Sequence, residues 1–208
     1  MPVDPTQIPI YHITDVANLP SILAEGGLNS DAVMAGRNPS VVIGYDHIKL
    51  RRLKEIAVTC CGNRFVGEFV PFYFCPRSPM LLAVNSGRTG RPPGSQRSVV
   101  HLVSTMSVGM ATGRLWAVSS GNAGAYHTTF DDQLMAVTML DWDAIRATQW
   151  AGRQHQKQAE MLVADFFHWN GFQAIGCHNS AIAQQVSALL AGVEHRPAVS
   201  VQPDWYYS

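Results

Sequence analysis

Four groups of residues in this sequence carry side chains able to do chemistry beyond packing. Glu160, in QKQAEMLV, is a lone acid that follows a polar, basic stretch and precedes an apolar run. A carboxylate so placed at the mouth of a sheet can hold a sugar hydroxyl and stabilise positive charge growing at an anomeric carbon. Tyr11, His12 and Thr14 close the first apolar segment, and the turn Gly26-Gly27-Leu28 follows. A histidine at a strand end can donate to a ribose hydroxyl, and a glycine turn lets backbone amides approach a ligand closely. Arg51, in KLRRLKE, is always charged and can clamp phosphate or carboxylate through two parallel bonds. Tyr73, Phe74, Arg77 and Met80 lie within FVPFYFCPRSPML. Their aromatic faces and polarisable thioether can sandwich a planar ring such as nicotinamide or a nucleobase.

Each group also has a plainer explanation. A buried, satisfied histidine is the commoner case, and core packing accounts for the aromatic segment equally well. Arg51 is surrounded by Lys49, Arg52, Lys54 and Glu55, the pattern of a solvated helix face, and Glu160 can be a surface glutamate. Familiar catalytic signatures are missing: the sequence contains no GxSxG, P-loop, HExxH or GxGxxG. The histidines form no HxH or HxxxH pair, and Cys60, Cys61, Cys75 and Cys177 form no CxxC. No metal is therefore expected, and the cysteines read as free thiols in a reducing cytoplasm.

Composition narrows the classes further. With 47% hydrophobic and 14% charged residues, the 208-residue chain has the makeup of an ordered globular protein, expected to form one domain over 1–208. No apolar run approaches the roughly 20 residues of a membrane span, and MPVDPTQIPIYHIT lacks the basic-then-apolar pattern of a signal peptide. A cytoplasmic protein with no membrane partner is the expectation. The net charge of zero argues against a protein that coats nucleic acid. The charge is unevenly spread, however. No acid occurs from Phe69 to Phe130, a stretch holding Arg77, Arg88, Arg91, Arg97 and Arg114. Arg146 to Lys157 is likewise free of acids and includes Arg153 and His155. These stretches form either a local surface for an anionic ligand or solvated loops.

The elements that must position these groups are short. IPIYHIT (8–14) reads as a strand, and Asp15 or Asn18 can cap a helix bearing Leu19, Ile22 and Leu23 that ends at Gly26-Gly27. Asp46 can cap a second helix, HIKLRRLKEIAV, with Ile48, Leu50 and Leu53 as its apolar contacts. GEFVPFYF is a strand candidate, irregular or at an edge near Pro71, and SPMLLAV a short helix with proline near its start. RSVVHLVS, RLWAVSS, FQAIGCH and PAVSVQPDWYY read as strands, and SAIAQQVSALLAG as a helix. DWDAIRATQW reads as a helical turn and residues 121–132 as loop, while AEMLVADFF fits helix or strand equally. Many short strands and few helices, without regular alternation, define an α+β domain.

Together these segments resemble one family. The opening YHIT, then NLPSIL-EGGL, the arginine-bearing helix, VPFYF-PRSPML, a later LDW, QAE-LV and a terminal WYY are similar to the DarT family from about Ile10 to Tyr207. The resemblance implies an ADP-ribosyltransferase-type fold with two facing small sheets around an NAD cleft. It implies a toxin that consumes NAD to place ADP-ribose on a base, typically thymidine, in single-stranded DNA of a preferred sequence. A DarG-type macrodomain antitoxin that removes the modification is the implied partner. The family's catalytic arginine and glutamate fall on Arg51 and Glu160. On this footing His12, Thr14, Gly27 and Leu28 are expected to hold the cofactor, with Arg51 near it and Tyr73 and Phe74 as the nicotinamide wall. Met80 is expected to position the acceptor, and Arg153, His155 and Lys157 to contact the strand. Transfer to RNA or protein, or a binding module without turnover, are the alternatives.

Overall fold

The computed structural model describes residues 4–35 and 46–208, the side chains of the second segment from residue 50 onward. Strand β1 (Pro9–Asp15) leads to helix α1 (Leu19–Ala24), strand β2 (Gly27–Asn29) and helix α2 (Asp31–Met34). Helix α3 (Asp46–Lys54) precedes a small ribbon, β3 (Ala57–Val58) and β4 (Arg64–Phe65). Then come β5 (Phe69–Tyr73), α4 (Pro79–Asn85), β6 (Val99–Thr105), α5 (Met106–Met110), β7 (Trp116–Asn122) and β8 (Phe130–Asp131). The remainder is α6 (Leu134–Thr138), α7 (Trp142–Arg146), β9 (Ala159–Ala164), β10 (Phe166–His168), β11 (Ala174–Cys177), α8 (Ser180–Leu189) and β12 (Ala198–Val201).

Polar side chains start several of the helices by accepting orphan amides at their N-termini. Ser78 caps α4 through the Leu81 amide at 3.2 Å, Asp141 caps α7 through Ala144 at 2.8 Å, and Asn179 caps α8 through Ile182 at 3.0 Å. Asp15 accepts from Ala17 at 3.0 Å, and Gly26, at φ 74°, follows α1 in the left-handed conformation that glycine takes readily. The second helix stops at Lys54, so the IAV expected to extend it lies outside the helix, Ala57 and Val58 forming β3. The capping role expected of Asp46 and the contacts of Ile48 lie outside the described side chains.

Eight strands are ordered β12-β11-β6-β1-β5-β9-β7-β8. β1 pairs with β6 along its whole length, from Pro9↔Thr105 to Asp15↔Val99, but with β5 at one position only, Tyr11↔Tyr73. The order thus divides into two four-stranded halves joined at a single pair, the arrangement the resemblance implied. His12 spans the junction, its Nδ1 2.9 Å from the Pro71 carbonyl. On one face Ile10, Phe72, Leu102, Met161 and Phe172 belong to the main core, whereas Phe69, Ala117, Leu162 and Ala164 form a second cluster. All six residues of β9 are buried, which explains why AEMLVADFF shows no alternation. It is strand, broken at Asp165, whose φ of 63° separates β9 from β10. No described helix is long and apolar enough to cross a membrane.

Candidate active site

Glu160 opens the buried run of β9 directly opposite Tyr73 of β5. Partners directly opposite in an antiparallel pair project to the same side, so the two side chains share a face. The glutamate is only 2% exposed. Its carboxylate accepts two bonds from one guanidinium, Arg52 Nη1 to Oε1 at 3.2 Å and Nη2 to Oε2 at 3.0 Å. The backbone amide of Ala123 adds a third at 3.4 Å. That amide arrives through an irregularity in β7 between Val118 and Asn122, a bulge of the kind that re-aims groups beside functional sites. Behind it, Glu160 N–H donates to Ser119 Oγ at 2.9 Å, and Ser119 Oγ donates to the Gly121 carbonyl at 2.7 Å. Burial opposes the charge on Arg52, but the Glu160 charge and its hydrogen bonds hold the guanidinium above its ordinary pKa. Burial first, and then the glutamate's charge, push the Tyr73 hydroxyl well above the usual phenol range.

It is thus Arg52, not Arg51, that grips the glutamate. Neighbours on a helix point about 100° apart, so only one arginine of the doublet can face Glu160. Arg51 instead lays its guanidinium 5.5 Å from the centre of the exposed Tyr126 ring, with Nε buried and without a hydrogen-bond partner. Asp31, at the start of α2, is close enough to add its charge to Arg52, bringing that helix toward the same site.

On the other half-sheet, β1 sends His12 and Thr14 to one face by alternation. Thr14 Oγ1 accepts from Asn18 Nδ2 at 3.2 Å and, with Gly27, Leu28 and Met34, lines a cavity between β1, α1 and β2. A Cβ on Gly27 would lie 2.2 Å from the Phe167 carbonyl, so β2 can pair this closely with β10 only with glycine there. The lining offers the Thr14 and Ser21 hydroxyls, the Glu25 carboxylate and apolar walls from Ile22, Leu28 and Met34.

Other expected site residues separate. Tyr73 packs in a cluster with Met80, but Phe74 lies in the main core, its ring 5.6 Å from Trp142. The two adjacent residues project to opposite sides, so they cannot wall one pocket together. Met80 instead borders a groove with Trp150, Gln154 and Gln158. Lys157 is 2% exposed, and its ammonium donates to the carbonyls of Ile145 and Ala147, both at 2.8 Å. It braces a wall and is not a surface contact for a strand. Arg153 and His155 stay half-buried near Glu160 in sequence. The His155 ring covers Gly121, stacks 4.2 Å from His127, and is held below its ordinary pKa by burial and by His127. Sequence reasoning missed Arg52, Ser119 and the Ala123 amide. Only the RR doublet signalled the first, and nothing local signalled the others. All four cysteines are free, and no cluster of three or more potential metal ligands occurs among the described residues.

A buried, oriented carboxylate beside the junction of two small half-sheets, with a tyrosine opposite it on the neighbouring strand, is an arrangement suited to an ADP-ribosyltransferase. The comparisons agree. The family model of DarT, the single-stranded-DNA thymidine ADP-ribosyltransferases, matches residues 11–207. A DNA ADP-ribosyl transferase of Thermus aquaticus is 38% identical, covering 95% of this chain and 88% of the relative. The solved structure of Thermus sp. 2.9 DarT in complex with ADP-ribosylated ssDNA superposes with a TM-score of 0.90 at 34% identity, over 97% of both chains. The same protein in complex with NAD+ gives 0.85 at 33% identity, over 98% of both chains. The chain belongs to the DarT family and is a DNA ADP-ribosyltransferase.

Proposed function

We propose that the chain transfers ADP-ribose from NAD to a thymidine base in single-stranded DNA, with Glu160 as its central catalytic group. In this reaction the bond between the ribose anomeric carbon and nicotinamide breaks, and a bond from that carbon to the base forms. Nicotinamide leaves with the bonding pair, and the base gives up a proton. Because the transition state is oxocarbenium-like, a fixed carboxylate beside the ribose stabilises it electrostatically. The observation that carries this reading is the threefold hydrogen bonding that holds the buried Glu160 opposite Tyr73.

Arg52 is then a positioning residue for Glu160. Arg51, beside the exposed Tyr126, acts on the acceptor side, where a cation favours the deprotonated form of a weakly acidic imide. His12, Thr14, Gly27 and Leu28 hold the nucleotide, Tyr73 walls the nicotinamide, and Met80 positions the acceptor base. Arg153 and His155 contact the DNA strand. A single-stranded acceptor spares the enzyme the cost of extruding a paired base. The unit spans residues 1–208 and works in the cytoplasm, where its acceptor is found, alongside a DarG-type macrodomain antitoxin. A DarTG protein of Thermosipho africanus, solved in complex with ADP-ribose, shares the fold (TM-score 0.73, 22% identity, 96% of this chain and 51% of that one).

The test is mass spectrometry of thymidine-containing single-stranded DNA incubated with the protein and NAD. One added ADP-ribose per modified thymidine, absent with Glu160→Ala, is expected. NAD consumption with RNA or protein but no DNA adduct would overturn the acceptor, and an active Glu160→Ala would overturn the site.

A further inference from the structure

A second cavity, of about 340 Å³, opens where the chain leaves β5 and where it approaches β9. Its aromatic walls are Tyr11, Phe74 and Trp142, its cationic ones Arg77 and Arg146, and no aspartate or glutamate lines it. Arg52, Arg64, Arg91 and Arg114 each have a carboxylate within 4.0 Å. Arg64 and Arg114 lie over rings as well, whereas Arg77 and Arg146 stack on rings without a carboxylate partner among the described residues, 4.7 Å from the centre of Tyr207 and 5.3 Å from that of Trp142. Arg77 Nε is in addition buried without a hydrogen-bond partner. A guanidinium stacked by its face keeps its donor edge available, and that edge matches phosphate geometry.

The wall carrying Trp142 and Arg146 is held by Lys157, whose ammonium ties down the carbonyls of Ile145 and Ala147. This gives the buried lysine a purpose that a surface contact would not. The cavity lies close to Tyr73 and Glu160 along the chain. Phe74 follows Tyr73 directly, and the three residues from Lys157 to Glu160 span at most about 10 Å. One or two nucleotides of a single strand cover such a distance.

Resting on the DNA acceptor proposed above, we propose that this cavity binds a nucleotide flanking the modified thymidine, its phosphate on Arg77 and Arg146 and its base against Trp142. Base–aromatic stacking with a cationic track is the general mode of single-strand capture. The same groups suit the diphosphate of NAD, so the experiment separates the two sources.

Steady-state kinetics on a short thymidine oligonucleotide, varying DNA, NAD and salt in turn, supply the test for Arg146→Ala, Arg146→Lys and Trp142→Leu. Arg146→Ala is expected to raise the KM for DNA roughly tenfold, leave that for NAD unchanged, and flatten the log–log salt dependence by about 0.7. Arg146→Lys should restore the salt slope but only part of the KM, since lysine replaces the charge and not the fork. Trp142→Leu should raise the DNA KM without touching the slope. A higher KM for NAD with that for DNA unchanged would assign the cavity to the cofactor, and wild-type values throughout would leave it with no ligand role; either overturns the proposal. Failure of the wild-type protein to modify any DNA would instead strike the function itself.

Discussion

At the scale of single residues, the two adjacent arginines of α3 should separate cleanly by experiment. Arg52 and Glu160 form a buried, doubly hydrogen-bonded pair, so deleting either leaves a charge stranded in the interior. Such deletions cost about 3–5 kcal/mol. Arg52→Ala should therefore lose both activity and stability, read by urea denaturation, whereas Arg51→Ala should lose activity with under about 1 kcal/mol of stability. Equal destabilisation by the two substitutions would show that the pairing described here is wrong. The doublet also marks where the sequence stopped being informative. The resemblance places a catalytic arginine in this doublet together with Glu160, but the rotation of a short helix about its axis is set by packing that no local pattern encodes. Lys157 makes the same point in reverse. Its basic neighbourhood suggests a DNA contact, while carbonyls at the C-terminal end of α7, ten and twelve residues earlier, claim its ammonium.

Secondary-structure elements are more legible in the sequence than side-chain partners, because caps, prolines and glycines act locally. Ser78 before Pro79 and Asn179 before α8 sit where capping chemistry requires them. β9 is ambiguous in the sequence because a strand buried on both faces carries no period, and only its place between β5 and β7 identifies it. β6 is covered in the same way and buries a polar residue that no pattern exposes, His101. Its Nε2 lies 2.9 Å from the Pro76 carbonyl and its Nδ1 3.3 Å from the Tyr206 hydroxyl, tying the turn after β5 to the C-terminal segment. Burial drives its pKa down to about 4. A folded-state value below the unfolded one of about 6.5 means that the unfolded chain binds the extra proton between those limits. The stabilising contribution is thus complete above pH 6.5 and falls by roughly 3 kcal/mol as the pH drops to 4. Denaturation series at pH 7 and 4.5 should show this loss, and His101→Gln should flatten it. An equally steep fall in that variant would assign the acid sensitivity elsewhere.

The whole molecule sets the cleft. Two four-stranded halves meet at Tyr11 and Tyr73, with the His12–Pro71 bond beside that pair. The proposed nucleotide-holding residues come from β1 and β2, and the catalytic carboxylate from β9. A ligand held by those residues and by Glu160 together would touch both halves, and its binding energy would also be coupling energy between them. At one hundred times its dissociation constant, NAD should stabilise the fold by about 2.7 kcal/mol. For a chain of this size that raises the melting temperature by roughly 5–10 °C. Hydrogen exchange should locate the effect, with NAD slowing amides in residues 26–35, beside Thr14 and Gly27, and in residues 119–130, which include the Ala123 amide that bonds Glu160. Gly27→Ala, whose new methyl would collide with the Phe167 carbonyl, should lower the melting temperature and remove most of the NAD-induced rise. Protection confined to one of the two regions would mean that the cofactor sits on a single half-sheet, and the junction at Tyr11 and Tyr73 would then be a matter of folding alone.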